Sequence, residues 1–243
     1  MLSVRNLSRR FGGLKAISNV SFDVEEGEFV GVIGPNGAGK TTLLNLLTGY
    51  TRPSEGEILL DQSPVHMLRP FEICHRRVAR TFQIVRPFAE MSVLDNVMVG
   101  TLFASDHSIG VTRGREEAAE SVRIAGLWEQ RAQLAGSLTI GQKKRLELAR
   151  ALATRPKLLL LDEVLAGLTR AEVDQLVNSI RAIGQRGVTV IMIEHLVHVI
   201  LRLCRRVIVL NFGEVIFDGP TADAMDHPEV VRSYLGRPLQ RTA

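Results

Sequence analysis

Three short stretches of this 243-residue chain hold residues whose types and spacing can do chemistry. Gly34-Pro35-Asn36-Gly37-Ala38-Gly39-Lys40-Thr41 fits the pattern G-x-x-x-x-G-K-[S/T]. Glycines at such positions let peptide N–H groups turn inward on a phosphate chain, and a helix opening at Lys40 adds its partial positive charge. Lys40 is a point charge for the β- and γ-phosphates, and Thr41 offers a hydroxyl to Mg²⁺. Asn36, Ala38 and Thr42 belong to the same cradle. The glycines at 34, 37 and 39 do not fit the dinucleotide spacing G-x-G-x-x-G. The second stretch, Leu158-Leu159-Leu160-Leu161-Asp162-Glu163, closes an apolar run with two carboxylates. Asp162 can hold Mg²⁺ through its water shell, and Glu163 can polarise an attacking water as general base. In the third, Leu138-Thr139-Ile140-Gly141-Gln142, the Thr139 hydroxyl and the N–H groups of Gly141 and Gln142 can close a cage around a γ-phosphate exposed at a monomer surface.

The elements that must position these groups can be read from periodicity. Residues 1–30 alternate apolar and polar (Leu2, Val4, Leu7; Val20, Phe22, Val24), which predicts antiparallel strands turning at Gly12-Gly13 and Glu25-Glu26-Gly27. Phe29 to Ile33 is a short buried strand that delivers the glycine loop, and a helix from Lys40 to about Thr48 follows, closed by Gly49. Glu57 to Asp61 and Val78 to Phe82 are further strands. After Gln83 the character changes. Ser92-Val93-Leu94-Asp95 offers a cap-like helix start, and helical pattern runs to about Gly126 with a loose stretch from Ala104 to Gly114. The segment from Ile84 to about Thr154 is a mainly helical subdomain inserted into an α/β core. The core resumes with a strand at Leu158 to Leu161, a helix at Arg170 to Gly184 and a strand at Val188 to Ile193. Strands Val207 to Leu210 and Glu214 to Phe217, joined through Asn211-Phe212-Gly213, and a helical segment from Thr221 to Leu235 finish it.

Bulk properties set limits. Apolar residues at 45% and charged residues at 23% are ordinary for a globular protein with a sizeable core. Thirty basic against 26 acidic residues give +4. No long Lys/Arg block with interleaved aromatics is present, so no nucleic-acid partner is expected. The cluster Arg76, Arg77 and Arg80 fits nucleotide phosphates or an anionic lipid surface, with a solvated basic face as the bland alternative. Cys74 and Cys204 lack metal or redox spacing, which points to a reducing compartment. Met1 leads directly into an alternating strand pattern with no secretory leader, and no apolar run approaches the ~20 residues of a membrane span.

With these residues in hand, the chain resembles the ATPase subunits of ABC transporters. Gly34 to Thr41 and Asp162-Glu163 match the family's Walker A and Walker B motifs, and Leu138 to Gln142 is similar to its LSGGQ signature. Gln83, after Ala79-Arg80-Thr81-Phe82, resembles the Q-loop glutamine that joins core to helical subdomain, with a role toward Mg²⁺. His195, after Ile193-Glu194, resembles the switch histidine that contacts the γ-phosphate. Phe11 sits where the family stacks an aromatic ring on adenine. A lone phenylalanine, histidine or glutamine would ordinarily be packing or surface; all these elements together in family order are specific. Phe11-Gly12-Gly13-Leu14-Lys15-Ala16, Arg80 to Gln83, Ile193 to His195 and Ser233-Tyr234-Leu235-Gly236 look most like LivG-type subunits of branched-chain amino acid importers. Subunits of importers for urea or other small amides and carboxylates look much alike, so the cargo rests on analogy.

The resemblance implies an α/β fold, a P-loop NTPase core of mixed sheet with an antiparallel β subdomain and an inserted α-helical subdomain. Residues 1–83 form the first part of that core, 84–154 the helical subdomain, 155–236 the second part, and 237–243 a flexible tail. It implies ATP and Mg²⁺ as ligands and a peripheral position on the cytoplasmic face of the membrane. The implied partners are a second ATPase subunit (an identical copy or a sibling), transmembrane permease subunits and, indirectly, a periplasmic or extracellular solute-binding protein. Two rival readings are a soluble ABC-type ATPase of DNA repair or translation and a P-loop kinase. The first usually carries coiled-coil inserts or tandem cassettes, and only one P-loop occurs here. The second has no use for a signature helix or His195. Four letters depart from the family pattern: Thr139 for serine, Ile140 for glycine, Val164 for proline, and Thr169 for aspartate or asparagine. They bear on turnover rate more than on reaction type.

Overall fold

The computed structural model describes residues 1–104 and 110–235. The chain divides into two compact units, one made of residues 1–25, 29–68 and 192 onward, the other of residues 26–28 and 69–191. The tail expected at 237–243 lies outside the described residues.

The first unit contains the β subdomain and the strand that leads to the glycine loop. Strand Leu2–Phe11 lies antiparallel to both Leu14–Val24 and Glu55–Leu60. Its alternation puts Leu2, Val4 and Leu7 inside, at 2% exposure or less. A mixed sheet stands beside it: Phe29–Ile33 runs parallel to Arg206–Asn211, which pairs antiparallel with Glu214–Pro220. Val30, Val32 and Ile33 are fully buried, as expected of a strand covered on both faces. Gly31 is in that strand because helix Val197–Leu203 crosses close above it: a Cβ there would sit 2.9 Å from the Ile200 side chain. The hairpin turn is a two-residue loop, Phe212 and Gly213, with φ of 45° and 81°. That is the geometry of a type I′ turn, which suits the strand twist but is unfavourable for a bulky residue at its first position. Burial pushes the Cys204 thiol up to about 12, so this cysteine is a packing residue.

The second unit is helical around a short parallel pair, Val78–Arg80 beside Leu158–Asp162. All five residues of Leu158–Asp162 are buried. The strand at 78 stops two residues before the expected Phe82. Thr81 continues the pairing through its N–H to the Leu160 carbonyl (2.9 Å), and then the Phe82 N–H turns to a side chain. Helices Val93–Phe103, Val111–Ile124 and Ile140–Ala153 enclose a core of Val93, Val97, Ala118, Val122, Leu127, Leu138, Leu146 and Ala149. Ser92 caps the first, its hydroxyl accepting from the Asp95 N–H. Gly100 lets it approach the third, since a Cβ would stand 2.9 Å from the Arg150 carbonyl. Of the loose stretch expected at Ala104 to Gly114, residues 105–109 lie outside the described residues. Residues 111–114, expected to be loose, instead form the first turn of the helix Val111–Ile124, closed by the Gly114 N–H donating to the Gly110 carbonyl at 2.9 Å. The Thr101 hydroxyl donates to the Gly114 carbonyl at 3.1 Å. Trp128 is packing, as expected, held between the guanidinium groups of Arg123 and Arg131 at 3.9 and 4.4 Å.

Helix Ile140–Ala153 buries two charges one turn apart, Lys144 at 7% and Glu147 at 8% exposure. Burial pushes the Glu147 carboxyl up to about 7, against the opposing pull of the Phe82 N–H, Arg150 and Lys144. The sign of the consequence follows from the raised value. In the unfolded chain this carboxyl ionises near 4.5; in the folded chain it holds its proton to about 7. Folding stability therefore falls as pH rises through that window and levels off above it. Glu147→Gln, with the same shape and no charge, should gain on the wild type by up to a few kcal/mol between about pH 5 and about pH 8. Thermal melts across that range check it, and a Tm difference independent of pH would rule it out.

Candidate active site

In the first unit the phosphate loop follows directly from the strand Phe29–Ile33. Gly39, the residue before helix Lys40–Leu47, has φ of 104°, and a Cβ on it would lie 2.6 Å from the Ala16 carbonyl oxygen. Only glycine satisfies both demands. Gly34 likewise has positive φ and sits against the Leu210 carbonyl with no room for a side chain. The loop is also braced from outside. The Gly213 N–H donates to the Ala38 carbonyl at 3.0 Å, and the Ser18 N–H donates to the Gly213 carbonyl at 2.8 Å. Ala38 is buried, Asn36, Gly37 and Thr41 are exposed, and Thr42 is half-buried. Lys40 is 7% exposed, and its Nζ donates to the carbonyls of Gly34 (2.7 Å) and Pro35 (3.0 Å). The ammonium group thus folds back over its own loop, where it is desolvated and held by peptide dipoles. Phe11, at the end of its strand, is 46% exposed, with the Arg9 guanidinium 4.5 Å from its ring centroid. His195 follows strand Thr189–Ile193 and is exposed.

In the second unit Asp162 and Glu163 sit at the end of Leu158–Asp162. Asp162 is buried and ion-paired with Arg80 at 2.7 Å, both side chains being 6% exposed. Arg80 is therefore no part of a surface basic cluster, and Arg77 beside it is spent on the Arg155 carbonyl at 2.8 Å. The Asp162 N–H donates to the Thr81 hydroxyl at 3.2 Å, which fixes the carboxylate's origin. Glu163 has φ of 48°, a left-handed conformation that costs a non-glycine residue on the order of 1 kcal/mol and turns its side chain out of the strand. Its carboxylate accepts a hydrogen bond of 2.8 Å from the Gln83 Nε2. Because the amide nitrogen faces Glu163, the carboxamide oxygen of Gln83 remains an acceptor for another ligand. Val164 is buried at 3%, which explains an apolar residue there but not the absence of proline.

The turn at 138–142 is a complete helix cap. The Thr139 hydroxyl accepts from the Gln142 N–H at 3.2 Å, and the Gln142 Oε1 accepts from the Thr139 N–H at 2.9 Å. The Gln142 N–H is thus engaged within the cap, while the Thr139 O–H hydrogen remains a donor for an outside oxygen. Gly141 packs on the Glu172 carboxylate, and a Cβ there would require that side chain to shift. Ile140 projects outward at 69% exposure. Glu172 in turn belongs to a second capping box. Thr169 donates its N–H and hydroxyl to Glu172 Oε2 at 2.9 and 2.8 Å, and these bonds hold the Glu172 carboxyl below its usual range.

Gly34 to Thr42 lie together in the first unit with Phe11 and His195; Gln83, Asp162, Glu163 and the 139–142 turn lie in the second. Sequence reading missed Lys144, Glu147 and Glu172, and took Arg80 for part of a basic surface. The two caps carried a legible signal, Thr139-x-x-Gln142 and Thr169-x-x-Glu172, the pattern of a capping box. The buried charges Arg80, Lys144 and Glu147 carried none, because their value depends on partners distant in sequence. The Thr41 hydroxyl in the first unit, and Asp162 and the Gln83 carboxamide oxygen in the second, are hard oxygen donors of the kind Mg²⁺ takes with retained water.

A family model described as ABC transporter matches residues 17–166. The high-affinity branched-chain amino acid transport ATP-binding protein BraF of Pseudomonas aeruginosa is 38% identical, over 97% of this chain and 98% of its own. Among solved structures, an ATP-binding cassette of an ABC transporter in its ADP conformation superposes with a TM-score of 0.88 at 30% identity, covering 97% of this chain and 98% of that one. A dimeric cassette in a post-hydrolysis state with ADP and Pi superposes with a TM-score of 0.81 at 26% identity, covering 91% and 99%. Walker-type loop, glutamine segment, capped signature helix and acidic strand end follow one another in the family's order, and the chain belongs to the ATP-hydrolysing cassettes of the ABC transporters.

Proposed function

We propose that this chain binds and hydrolyses ATP to power uptake of branched-chain amino acids through separate transmembrane subunits. The observation that carries the reading is Glu163. A strained backbone and the Gln83 carboxamide fix its carboxylate immediately after the buried, ion-paired Asp162. The peptide N–H groups of residues 34–42 and the Lys40 ammonium bind the phosphates, and the exposed ring of Phe11 stacks on the base. Thr41, Asp162 and Gln83 would hold Mg²⁺, which supplies positive charge against the developing charge of the leaving phosphate. Glu163 takes a proton from water as that water's oxygen bonds to the γ-phosphorus. The bond from the γ-phosphorus to the β,γ-bridging oxygen breaks, releasing ADP and phosphate. His195 contacts the γ-phosphate.

The exposed Thr139–Gln142 cap supports a paired arrangement, in which each ATP lies between one chain's phosphate loop and the other chain's signature turn. The pair is two copies of this chain or this chain with a sibling. ATP then closes the interface and hydrolysis releases it. The helical segment 84–154 acts as lever and as docking surface for the permease subunits, which a solute-binding protein feeds from outside. No helix among the described residues is long and apolar enough to cross a membrane, which suits a peripheral subunit on the cytoplasmic face. The cargo is taken from BraF, a transport protein and not a repair or translation factor.

Glu163→Gln should cut ATP hydrolysis by roughly 100-fold or more while retaining ATP binding, because it removes a general base and little else. Phosphate-release assays and light scattering with ATP check this: the variant should persist as an ATP-dependent dimer, and a monomeric variant with wild-type turnover would overturn the reading. Lys40→Ala should instead weaken binding of a fluorescent ATP analogue by about tenfold or more, the loss of a charge-assisted contact. Unchanged affinity would remove Lys40 from the phosphate site.

A further inference from the structure

Two buried charges in the helix Ile140–Ala153 have no part in the scheme above, and both end on backbone atoms beside reacting groups. Lys144 Nζ donates to the Glu163 carbonyl at 3.2 Å. One turn on, Glu147 Oε1 accepts the Phe82 N–H at 2.7 Å, and Phe82 is the residue before Gln83. Positions i and i+3 share a helix face, so a single face of this helix grips both segments at once. The two segments then meet in the 2.8 Å bond from Gln83 to Glu163. The helix begins with the Thr139–Gln142 cap about 7 Å of axial rise before Lys144 and about 12 Å before Glu147.

We infer that Glu147 is a positioning residue for hydrolysis. Through the Phe82 N–H it sets the place of Gln83 against the Glu163 carboxylate, with Lys144 holding the Glu163 backbone from the same helix face, so that the base of the signature helix is tied to the catalytic carboxylate. A purely structural Glu147 is poorly motivated. Burying a carboxyl costs stability unless the group is answered by hydrogen bonds, and a leucine would fill the same space in a helix whose neighbours Leu146 and Leu148 are already apolar. What leucine cannot do is accept the Phe82 N–H. Contact of the Thr139–Gln142 turn with a γ-phosphate would, through Lys144 and Glu147, reach Glu163 and Gln83 without any change in the phosphate loop itself. The inference rests on the ATPase reading and deepens it.

The test is a double-mutant cycle on the full chain, with kcat and KM for ATP measured beside circular dichroism and thermal melts. Glu147→Leu should lower kcat by about tenfold or more with KM for ATP within about twofold, since the phosphate cradle is untouched. Glu147→Gln keeps an acceptor oxygen and should recover kcat to within about threefold of wild type. In a Gln83→Ala background, Glu147→Leu should add little further loss, because residues acting through one another are not additive. Should Glu147→Leu fail to fold, Lys144→Met, which releases the other grip, should reproduce the selective fall in kcat. Wild-type kcat in the folded leucine variant, the same loss with and without Gln83, or an undiminished kcat in Lys144→Met when that variant is needed would each overturn the inference. A wild type that releases no phosphate from ATP sinks the ATPase reading itself, and a fully active Glu163→Gln removes Glu163 as its general base. A fault confined to the Glu147 and Lys144 variants sinks only the positioning role.

Discussion

Taking charge out of water is the constraint around which this protein is arranged, and at most of the buried charges it is the peptide backbone that answers. Lys40 is held by two carbonyls of its own loop, Lys144 by the carbonyl of Glu163, and Glu147 by the N–H of Phe82. Asp162 is instead paired with the Arg80 guanidinium, while its own N–H is fixed by Thr81. A peptide group answers a charge without carrying one, and it cannot swing away as a long side chain can. Lys144 and Glu147 thereby tie one helix to the main chain beside Glu163 and Gln83, whereas Lys40 is tied to its own loop. Local geometry at one motif depends on the conformation of another.

That arrangement decides how much of the molecule was legible in its sequence. The phosphate loop is read from glycine spacing because the demand for positive φ and close approach at Gly39 is local and excludes other residues. Asp162 and Glu163 are legible because a run of four leucines has to be a buried strand and its end has to be a functional edge. The Ser92 cap was also foreseen. Glu147 was not, since a glutamate among Arg145, Leu146 and Leu148 looks like any solvent-facing position until Phe82, sixty-five residues earlier in the chain, is placed against it. Arg80 was misread for the same reason. As one of three neighbouring arginines it suggests a basic surface, whereas in the folded chain it is the buried partner of Asp162.

The four departures from the family pattern have different physical weights. Thr139 and Thr169 each complete a capping box, so a hydroxyl there secures a helix start as well as offering a contact. Thr169 in addition orients Glu172, whose carboxylate lies against Gly141. Ile140 stands at the first helical position, where no special backbone conformation is needed, and its side chain extends outward. An isoleucine here is therefore a statement about what meets this surface, while the fold below it is indifferent to the change.

The brace that Gly213 provides to Ala38 has a consequence for how the protein is made. The two residues are about 175 positions apart, and a ribosome adding ~5–20 residues per second needs roughly 10–35 s to bridge that interval. Through that time the nascent phosphate loop lacks the hydrogen bond that fixes its middle. That brace is in place only after the hairpin near the far end of the chain has emerged, so a ribosome stalled before Gly213 leaves a loop with all its motif letters and no donor for the Ala38 carbonyl from that hairpin.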